Sequence, residues 1–210
     1  MDLFILDKKR INLLKKLKFL SKYGFYLAGG TALALQIGHR TSMDFDFYTE
    51  KKFSLLKLQR LLEKKFKEAI VLQKAEGTLI MKIDGVANSF FQYPYPLIFP
   101  PIKYQNFPPL ASKEDIAAMK VIAISDRGTK RDFIDIYFLL KEFSLEEIFN
   151  FIKKKYPNFN IYVGLRGLTY FVDAGKKQKR RLHLTHFVSW GKIKKFLIGE
   201  VKKYKKECLK

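Results

Sequence analysis

Two carboxylates that follow a glycine pair are the residues of this chain whose spacing best suits chemistry. Asp44 and Asp46 are separated by one phenylalanine, and Gly29-Gly30 lies one short helix upstream of them. Side chains at i and i+2 of a strand share a face, so we expect both carboxylates on the same face. Such a pair suits Mg²⁺ or Mn²⁺, which take oxygen ligands and bridge to substrate phosphates. The spacing therefore predicts a metal site that acts on a phosphorylated substrate.

The glycine pair predicts a place where the backbone approaches an anion. Glycine lets the chain pass close to a phosphate, and the N–H groups that open a helix bind anions. Thr31 follows directly, and it is either a simple N-cap or part of the helix start that holds the phosphate. Together with the carboxylates, this arrangement predicts transfer of a nucleotidyl group from a nucleoside triphosphate (NTP).

Three of the polar residues between this helix and Asp44 are candidates for a role in the site. Ser42 is placed to touch a phosphate or a water, unless it is a turn serine. Arg40 either pairs with Asp44 or contacts a phosphate. His39 is a candidate base, although a solvent-exposed loop histidine is the commoner case. Arg40 and Ser42 are therefore candidate nucleotide-binding residues.

Hydrophobic periodicity predicts the elements that must position these side chains. The expected class is α/β (α+β), with a mixed sheet flanked by helices and then a helical C-terminal half. Asp84-Gly85 predicts a hairpin turn. The expected strands are 25–28, 43–48, 78–84 and 87–93, within an alternating region 69–93. The expected helices are 8–22, 31–37, 54–67, 112–125, 131–141, one that opens at Ser144, and 191–206.

A proline-rich segment predicts the boundary between two halves. Six of the seven prolines lie between Pro94 and Pro109, a density that regular helix or sheet does not tolerate. We therefore expect an α/β core at 1–98, a connector at 99–111, and a helical region at 112–210 that closes over the active-site cleft.

A lysine on an apolar helix face is the main candidate in the C-terminal half. Lys120 is the only charged residue between Asp115 and Asp126. A lysine in such a setting usually has a specific partner or extends to the surface. Lys120 is therefore expected either to have a specific role or to reach the surface.

A group of charged residues follows at the start of the next predicted helix. Arg127, Lys130 and Arg131 either hold phosphates or RNA, or form a basic corner between helices. Asp135 lies on a strongly apolar helix and is expected to be partly buried and paired with Arg127 or Arg131. Asp132 either takes part in the chemistry or favours its helix N-terminus.

Composition limits the classes of partner and location. The net charge is +21, from 41 Lys and Arg against 20 Asp and Glu, which favours RNA, DNA or an acidic protein. A lysine-rich proteome is the alternative explanation. The single cysteine, Cys208, excludes an internal disulfide and fits a reducing cytoplasm. No apolar run approaches the ~20 residues of a bilayer span, and the N-terminus lacks the pattern of a signal peptide.

Two motifs carry a resemblance to a known family. Gly-Gly-Thr-Ala-Leu-Ala-Leu at 29–35, followed by Gly-His-Arg-Thr-Ser-Met-Asp-Phe-Asp-Phe at 38–47, resembles the AbiEii/AbiGii toxins. That family belongs to the nucleotidyltransferase superfamily related to DNA polymerase β. Lys120 followed by Arg-Asp-Phe-Ile-Asp at 131–135 is similar to the family's later motif. A looser match pairs 168–174 with 188–195, so the resemblance spans roughly 20 to 200.

The resemblance implies the toxin half of a type IV toxin–antitoxin or phage-defence pair. It implies Mg²⁺ on Asp44 and Asp46, an NTP substrate with Lys120 on its triphosphate, and a cognate antitoxin protein. The excess of positive charge favours tRNA or another RNA as the acceptor. The candidate catalytic residues are Asp44, Asp46, Lys120 and Asp132. The candidate nucleotide-binding residues are Gly29, Gly30, Thr31, Arg40, Ser42, Arg127 and Arg131.

One position departs from the pattern of the superfamily. A third carboxylate is expected on a neighbouring strand just before a Phe-Phe pair, but Phe90-Phe91 is preceded by Ser89. Asp84 or Asp132 replaces that acid, or nothing does. Three hypotheses follow: a nucleotidyltransferase that acts on RNA, a degenerate module that binds RNA or nucleotide without chemistry, and an enzyme that modifies a protein hydroxyl.

Overall fold

The computed structural model describes residues 1–174 and 183–208. The chain divides into two compact units, Met1–Ser112 and Lys113–Lys210. In the described residues the fold is mixed α/β, with one five-stranded mixed sheet and eight α-helices. The predicted fold class is confirmed.

The first unit contains the sheet, three α-helices and two 3-10 helices. Its helices are α1 (Lys8–Lys16), α2 (Gly29–Ile37) and α3 (Leu55–Lys65), with 3-10 helices at Leu3–Ile5 and Leu17–Tyr23. Its strands are β1 (Tyr26–Ala28), β2 (Phe45–Thr49), β3 (Ala69–Ala75), β4 (Thr78–Ile83) and β5 (Val86–Gln92). Residues predicted as one helix over 8–22 are α-helical only to Lys16 and then tighten into 3-10 geometry.

The sheet places the strand with the carboxylates between two different partners. The strand order is β1-β2-β5-β4-β3, in which β2 and β5 are parallel and all other neighbours are antiparallel. Phe45 and Phe47 are fully buried, and the Phe47 and Phe90 rings stack with centroids 5.5 Å apart. Because side chains alternate along a strand, this packing leaves Asp46 on the opposite, half-buried face.

The hairpin between β4 and β5 turns through two residues. Asp84 has φ 45° and Gly85 has φ 76°, and Ile83 pairs with Val86 across the turn. Positive φ at both central residues is the mark of the primed turns that match the twist of a hairpin. The predicted Asp-Gly turn is confirmed.

The proline-rich segment lies within the first unit, beside β1. The Leu27 N–H donates to the Pro109 carbonyl and the Ala111 N–H donates to the Leu27 carbonyl, each at 2.8 Å. Ile102 and Leu110 form a further antiparallel bridge. The segment therefore hydrogen-bonds a strand edge that would otherwise be open.

The second unit is helical. It contains α4 (Lys113–Asp126), α5 (Lys130–Leu139), α6 (Leu145–Lys155), α7 (Ile161–Gly167) and α8 (Trp190–Cys208). Gly128, with φ 50°, ends the run between α4 and α5, and a capping box of Ser144 and Glu147 opens α6. None of the described helices has the length and hydropathy that a membrane span requires.

A buried ion pair joins α4 to α6. Lys155 Nζ lies 2.8 Å from Asp115 Oδ1, and both side chains are fully excluded from solvent. This pair was not predicted, because Lys155 ends a run of lysines that is typical of a solvated helix terminus.

Candidate active site

Gly29 brings the first turn of α2 against a carboxylate of β2. It is the first residue of α2 and has φ 66°, a conformation that costs other residues about 1–2 kcal/mol. A Cβ added at Gly29 would lie 3.2 Å from Asp46 Oδ2. Both the dihedral angle and the close approach therefore require glycine here. Gly30 follows and is half-buried.

The N-terminus of α2 has the features of an anion site. Its N-cap is Ala28, which makes no side-chain cap hydrogen bond. Thr31 is the third residue of the helix, so the alternative that it is the N-cap is wrong. A helix of nine residues directs the N–H groups and the positive end of its dipole toward this point.

Thr31 ties the start of α2 to the segment that carries Asp44. Its hydroxyl donates to the Asp44 carbonyl and lies 2.6 Å from the Ser42 hydroxyl. Since the single Thr31 proton is used on that carbonyl, Ser42 is the donor to Thr31. Both side chains therefore position the loop that leads to Asp44.

Asp44 and Asp46 are both half-buried, one before and one within β2. The predicted strand 43–48 begins only at Phe45, because residues 41–44 follow an irregular path held by Thr31. The described residues contain no group of three or more His, Cys, Asp and Glu side chains that would hold an ion. Two carboxylates nevertheless fit Mg²⁺, which keeps several waters and completes its shell with substrate phosphates.

Ser89 occupies the strand position next to Asp46. The two residues are direct partners in the parallel β2–β5 register, and Ala28 is the partner of Asp46 on the other side. A carboxylate at this position would stand beside Asp46, where the superfamily pattern places its third acid. Asp84 instead occupies the hairpin turn and lines a small pocket with Lys9 and Glu68.

His39 and Arg40 are buried, with 2% and 3% of their surface exposed. The expectation of a solvent-exposed loop histidine is therefore wrong. Arg40 Nη1 donates to the Thr41 carbonyl at 3.0 Å. Burial of a guanidinium requires such partners, so Arg40 supports the path of the loop that leads to Asp44.

In the second unit, Lys120 is held between two carboxylates. Its Nζ lies 2.9 Å from Asp132 Oδ1 and 2.6 Å from Asp135 Oδ2, and the lysine side chain is 7% exposed. The arginines had been expected to pair with Asp135, but this structure pairs it with Lys120. The lysine on the apolar face of α4 therefore joins α4 to α5.

Asp132 receives hydrogen bonds from several donors. Thr129 Oγ1 donates to it at 2.6 Å and Arg127 Nε at 3.2 Å, in addition to Lys120. Burial alone would raise the pKa of Asp132, but the charges of Lys120 and Arg127 and the hydrogen bonds from Arg127 and Thr129 hold this pKa well below its ordinary value. A carboxylate so stabilised in its charged form is a poor general base.

Thr129, which donates to Asp132, is a residue of this cluster that was not predicted. Thr129 is the N-cap of α5 and Asp132 is its third residue, a Thr-x-x-Asp spacing close to the capping-box pattern that could have revealed the contact. Arg127 has a 57% exposed side chain and Arg131 is exposed. Lys130 Nζ lies 5.5 Å from the centre of the Trp190 ring.

The chain is similar in sequence to a known protein family and to a relative from another organism. A family model described as the nucleotidyl transferase AbiEii toxin of type IV toxin–antitoxin systems matches residues 13–189. An uncharacterized protein of Aquifex aeolicus is 38% identical over 185 residues, which cover 86% of this chain and 87% of that protein.

Two solved structures share the fold. A protein of H. pylori described as a candidate nucleotidyltransferase superposes with a TM-score of 0.55 at 19% identity, over 96% of this chain and 97% of its own. The nucleotidyltransferase toxin MenT4 of Mycobacterium tuberculosis superposes with a TM-score of 0.55 at 16% identity, over 92% of this chain and 81% of its own.

Proposed function

Since this chain belongs to the family of AbiEii nucleotidyl transferase toxins of type IV toxin–antitoxin systems, we propose that it transfers a nucleotidyl group from an NTP to RNA. The favoured acceptor is tRNA, because a net charge of +21 suits a polyanion. In this proposal the protein acts in the cytoplasm as a toxin that a cognate antitoxin protein restrains. The observation that carries the proposal is the close approach of Gly29 to Asp46.

The first turn of α2 holds the triphosphate in this proposal. Gly29 and Gly30 let the backbone approach the phosphates, and the Thr31 N–H adds a third donor at the helix start. The Thr31 and Ser42 hydroxyls do not reach the nucleotide. They fix the Asp44 carbonyl, so they are positioning residues.

Asp44 and Asp46 are the proposed holders of Mg²⁺ or Mn²⁺. When bound, such an ion neutralises charge that develops on the phosphates. Asp46 is oriented by its register between Ala28 and Ser89, and Asp44 by the Thr31 hydrogen bond to its carbonyl. These contacts position the backbone of both residues.

The attack itself involves an acceptor hydroxyl and the α-phosphorus of the NTP. The new oxygen–phosphorus bond forms as the bond to pyrophosphate breaks. Ser89 has no carboxylate with which to take the hydroxyl proton, so that proton passes to solvent. A positioned base contributes roughly 10²–10⁴-fold to such a step, so we propose a slow enzyme.

Lys120 is proposed to position α5 rather than to contact the triphosphate. Two carboxylates already share its ammonium group at hydrogen-bond distance. Arg127 and Arg131 present exposed side chains, and we propose that these guanidinium groups contact phosphates of the RNA. Asp132 supports Arg127 in that role.

A labelling assay tests the proposed function. The protein is incubated with Mg²⁺, total tRNA and each α-³²P-labelled NTP in turn. We expect label on tRNA that Asp44→Asn and Asp46→Asn both abolish. Asp84→Asn is the matched control, because asparagine also tolerates the positive φ of that turn, and it should label tRNA like the wild type.

The position of Ser89 beside Asp46 favours one second candidate, a degenerate module that binds RNA or nucleotide without chemistry. Folded protein that binds tRNA but transfers no label from any NTP would replace our proposal with this one. Label on the protein itself would instead indicate a protein hydroxyl as the acceptor.

A further inference from the structure

A second cavity lies in the first unit, away from the carboxylates. It has a volume of about 730 Å³ and is lined by the start of β1, the residues that end β2, the 3-10 helix Leu17–Tyr23 and the proline-rich segment. Thr49 lines it at the end of β2, three residues after Asp46. At about 3.3 Å per residue, these two positions are about 10 Å apart along the strand.

The rim of this cavity is basic. Lys18, Lys51 and Lys103 all line it and are exposed. The one carboxylate in the lining is Glu50, whose Oε1 accepts the Leu97 N–H at 3.2 Å. Three ammonium groups against one carboxylate attract an anion, and a volume of this size is typical of ligand sites.

The wall of the cavity is aromatic. Tyr104 is half-buried and Phe107 is 9% exposed, and the Phe107 N–H donates to the Tyr104 carbonyl at 3.3 Å. This turn brings the two residues into the lining of the same cavity. Lys15 Nζ lies 5.8 Å from the centre of the Phe107 ring. Aromatic rings and lysines in one cavity suit a nucleotide, because its base can stack on a ring and its phosphate can pair with an ammonium group.

We propose that this lysine-rich cavity binds one nucleotide of a single-stranded RNA segment. Its base packs on Tyr104, and its phosphates face Lys51 and Lys103. An acidic peptide would satisfy the lysines but would leave the ring of Tyr104 without a planar partner, so the aromatic wall favours RNA. The proposal rests on the proposed function in one respect, which is that this segment belongs to the acceptor of the transfer.

Binding is measured with a fluorescein-labelled oligouridylate of about ten nucleotides, a length within the site sizes of single-strand binding proteins. Lys51→Gln/Lys103→Gln removes two charges from the rim, and Tyr104→Leu removes the ring. The matched control is Lys64→Gln/Lys74→Gln, which removes two exposed charges of the same unit that do not line the cavity. All variants are full-length, and their folding is checked by circular dichroism.

We expect Lys51→Gln/Lys103→Gln and Tyr104→Leu each to weaken binding roughly tenfold, since the first removes cations that face the phosphates and the second removes the ring on which the base stacks, while the control pair changes little. Equal weakening by both lysine pairs, with no effect of Tyr104→Leu, would show a general electrostatic surface and overturn the proposal. So would displacement of the RNA by oligoglutamate as efficiently as by unlabelled RNA, which would assign the cavity to an acidic protein.

A photochemical experiment locates the RNA independently. A 5-bromouridine oligonucleotide is irradiated with the protein, and cross-linked peptides are identified by mass spectrometry. We expect cross-links to the peptide that contains Tyr104, and cross-links confined to other peptides would contradict the proposal.

One variant separates RNA binding by the cavity from nucleotide transfer at the carboxylates. Asp44→Asn/Asp46→Asn should bind the oligonucleotide like the wild type although it transfers no label. If the wild type binds RNA through the cavity but never transfers a nucleotide, the result supports RNA binding by the cavity and contradicts the proposed activity.

Discussion

Gly29 links the helix start to the carboxylate of Asp46, and a single methyl group tests that link. In Gly29→Ala the positive φ costs about 1–2 kcal/mol, and the new Cβ must displace Asp46 Oδ2, which lies 3.2 Å from it. We expect nucleotide transfer to fall more than the loss of stability explains.

Gly77→Ala is the control for that substitution. Gly77 has φ 63° in the turn between β3 and β4, and its added Cβ would meet Gln92 at 3.1 Å, far along the sheet from the carboxylates. It should lose similar stability in urea unfolding and keep its transfer activity. Equal activity of Gly29→Ala and Gly77→Ala would show that Gly29 has no specific role in nucleotide transfer.

Ser89 is the residue at which the superfamily pattern can be restored. Ser89→Asp places a carboxylate next to Asp46 in the parallel register, where it can take the acceptor proton. If the wild type lacks only this base, transfer should rise by roughly 10²–10⁴-fold at saturating Mg²⁺. An unchanged rate in a folded variant would show that chemistry does not limit transfer. Ser89→Asn controls for the size of the new side chain.

Asp132 should make the stability of the second unit depend on pH. Because its pKa is held below the ordinary value near 4, its contribution is present above that pH and is lost as the pH falls further. Asp132→Asn leaves Lys120 and Arg127 facing a neutral amide, so we expect a loss of about 3 kcal/mol at pH 7.

Asp132→Asn should also make the free energy of unfolding depend less steeply on pH in acid. Urea midpoints measured from pH 7 down to roughly pH 2 should fall less steeply below pH 4 for Asp132→Asn than for the wild type. Parallel curves would mean that Asp132 titrates alike in the folded and unfolded chain.

At the scale of elements, the sequence predicted what depends on neighbours along the chain. Periodicity and turn chemistry located four of the five described strands, the Asp84-Gly85 hairpin and the start of α6 after Ser144. The remaining strand, β3, lay in a region predicted only to alternate. The glycine pair and the two aspartates come together because β1, α2 and β2 are consecutive. These parts of the candidate site were therefore within reach of pattern arguments.

The rest depended on pairings between distant residues. Lys120 is partnered by two aspartates of α5, and Lys155 by Asp115 of α4. A charged residue on a helix face shows that it needs a partner, but its spacing does not say which one. His39 was misjudged for the same reason, since its burial arises from packing that the local sequence does not encode.

The ion pair of Asp115 and Lys155 is the strongest test of how α4 and α6 are joined. Lys155→Met removes a cation and leaves Asp115 fully buried without it, so we expect a loss of about 3–5 kcal/mol. Asp115→Leu/Lys155→Met replaces both charges with apolar groups and should recover most of that loss in urea unfolding. If the double variant is as unstable as the single one, the ion pair stabilises the fold beyond offsetting the cost of burying its two charges.

At the scale of the whole molecule, the charge of +21 should govern association with RNA. Each neutralised phosphate contributes to a linear fall of log affinity with log salt, so we expect tRNA binding to weaken at least tenfold between about 50 and 200 mM salt. Fluorescence titrations at several salt concentrations measure the slope. A flat dependence would assign the lysines to general surface composition and would weaken the case for an RNA acceptor.

The parallel pairing of β2 with β5 has a consequence for the time at which the protein becomes active during synthesis. Asp46 is held on one side by β1, which precedes it closely, and on the other by Ser89, about 40 positions later, so a long loop must close before the strand is secured. A nascent chain that has emerged only as far as α3 lacks the central neighbour of its carboxylate strand. We therefore expect the proposed transfer activity to be absent from the nascent chain until β5 has left the exit tunnel, so a partner that binds the incomplete chain would meet it before that activity arises.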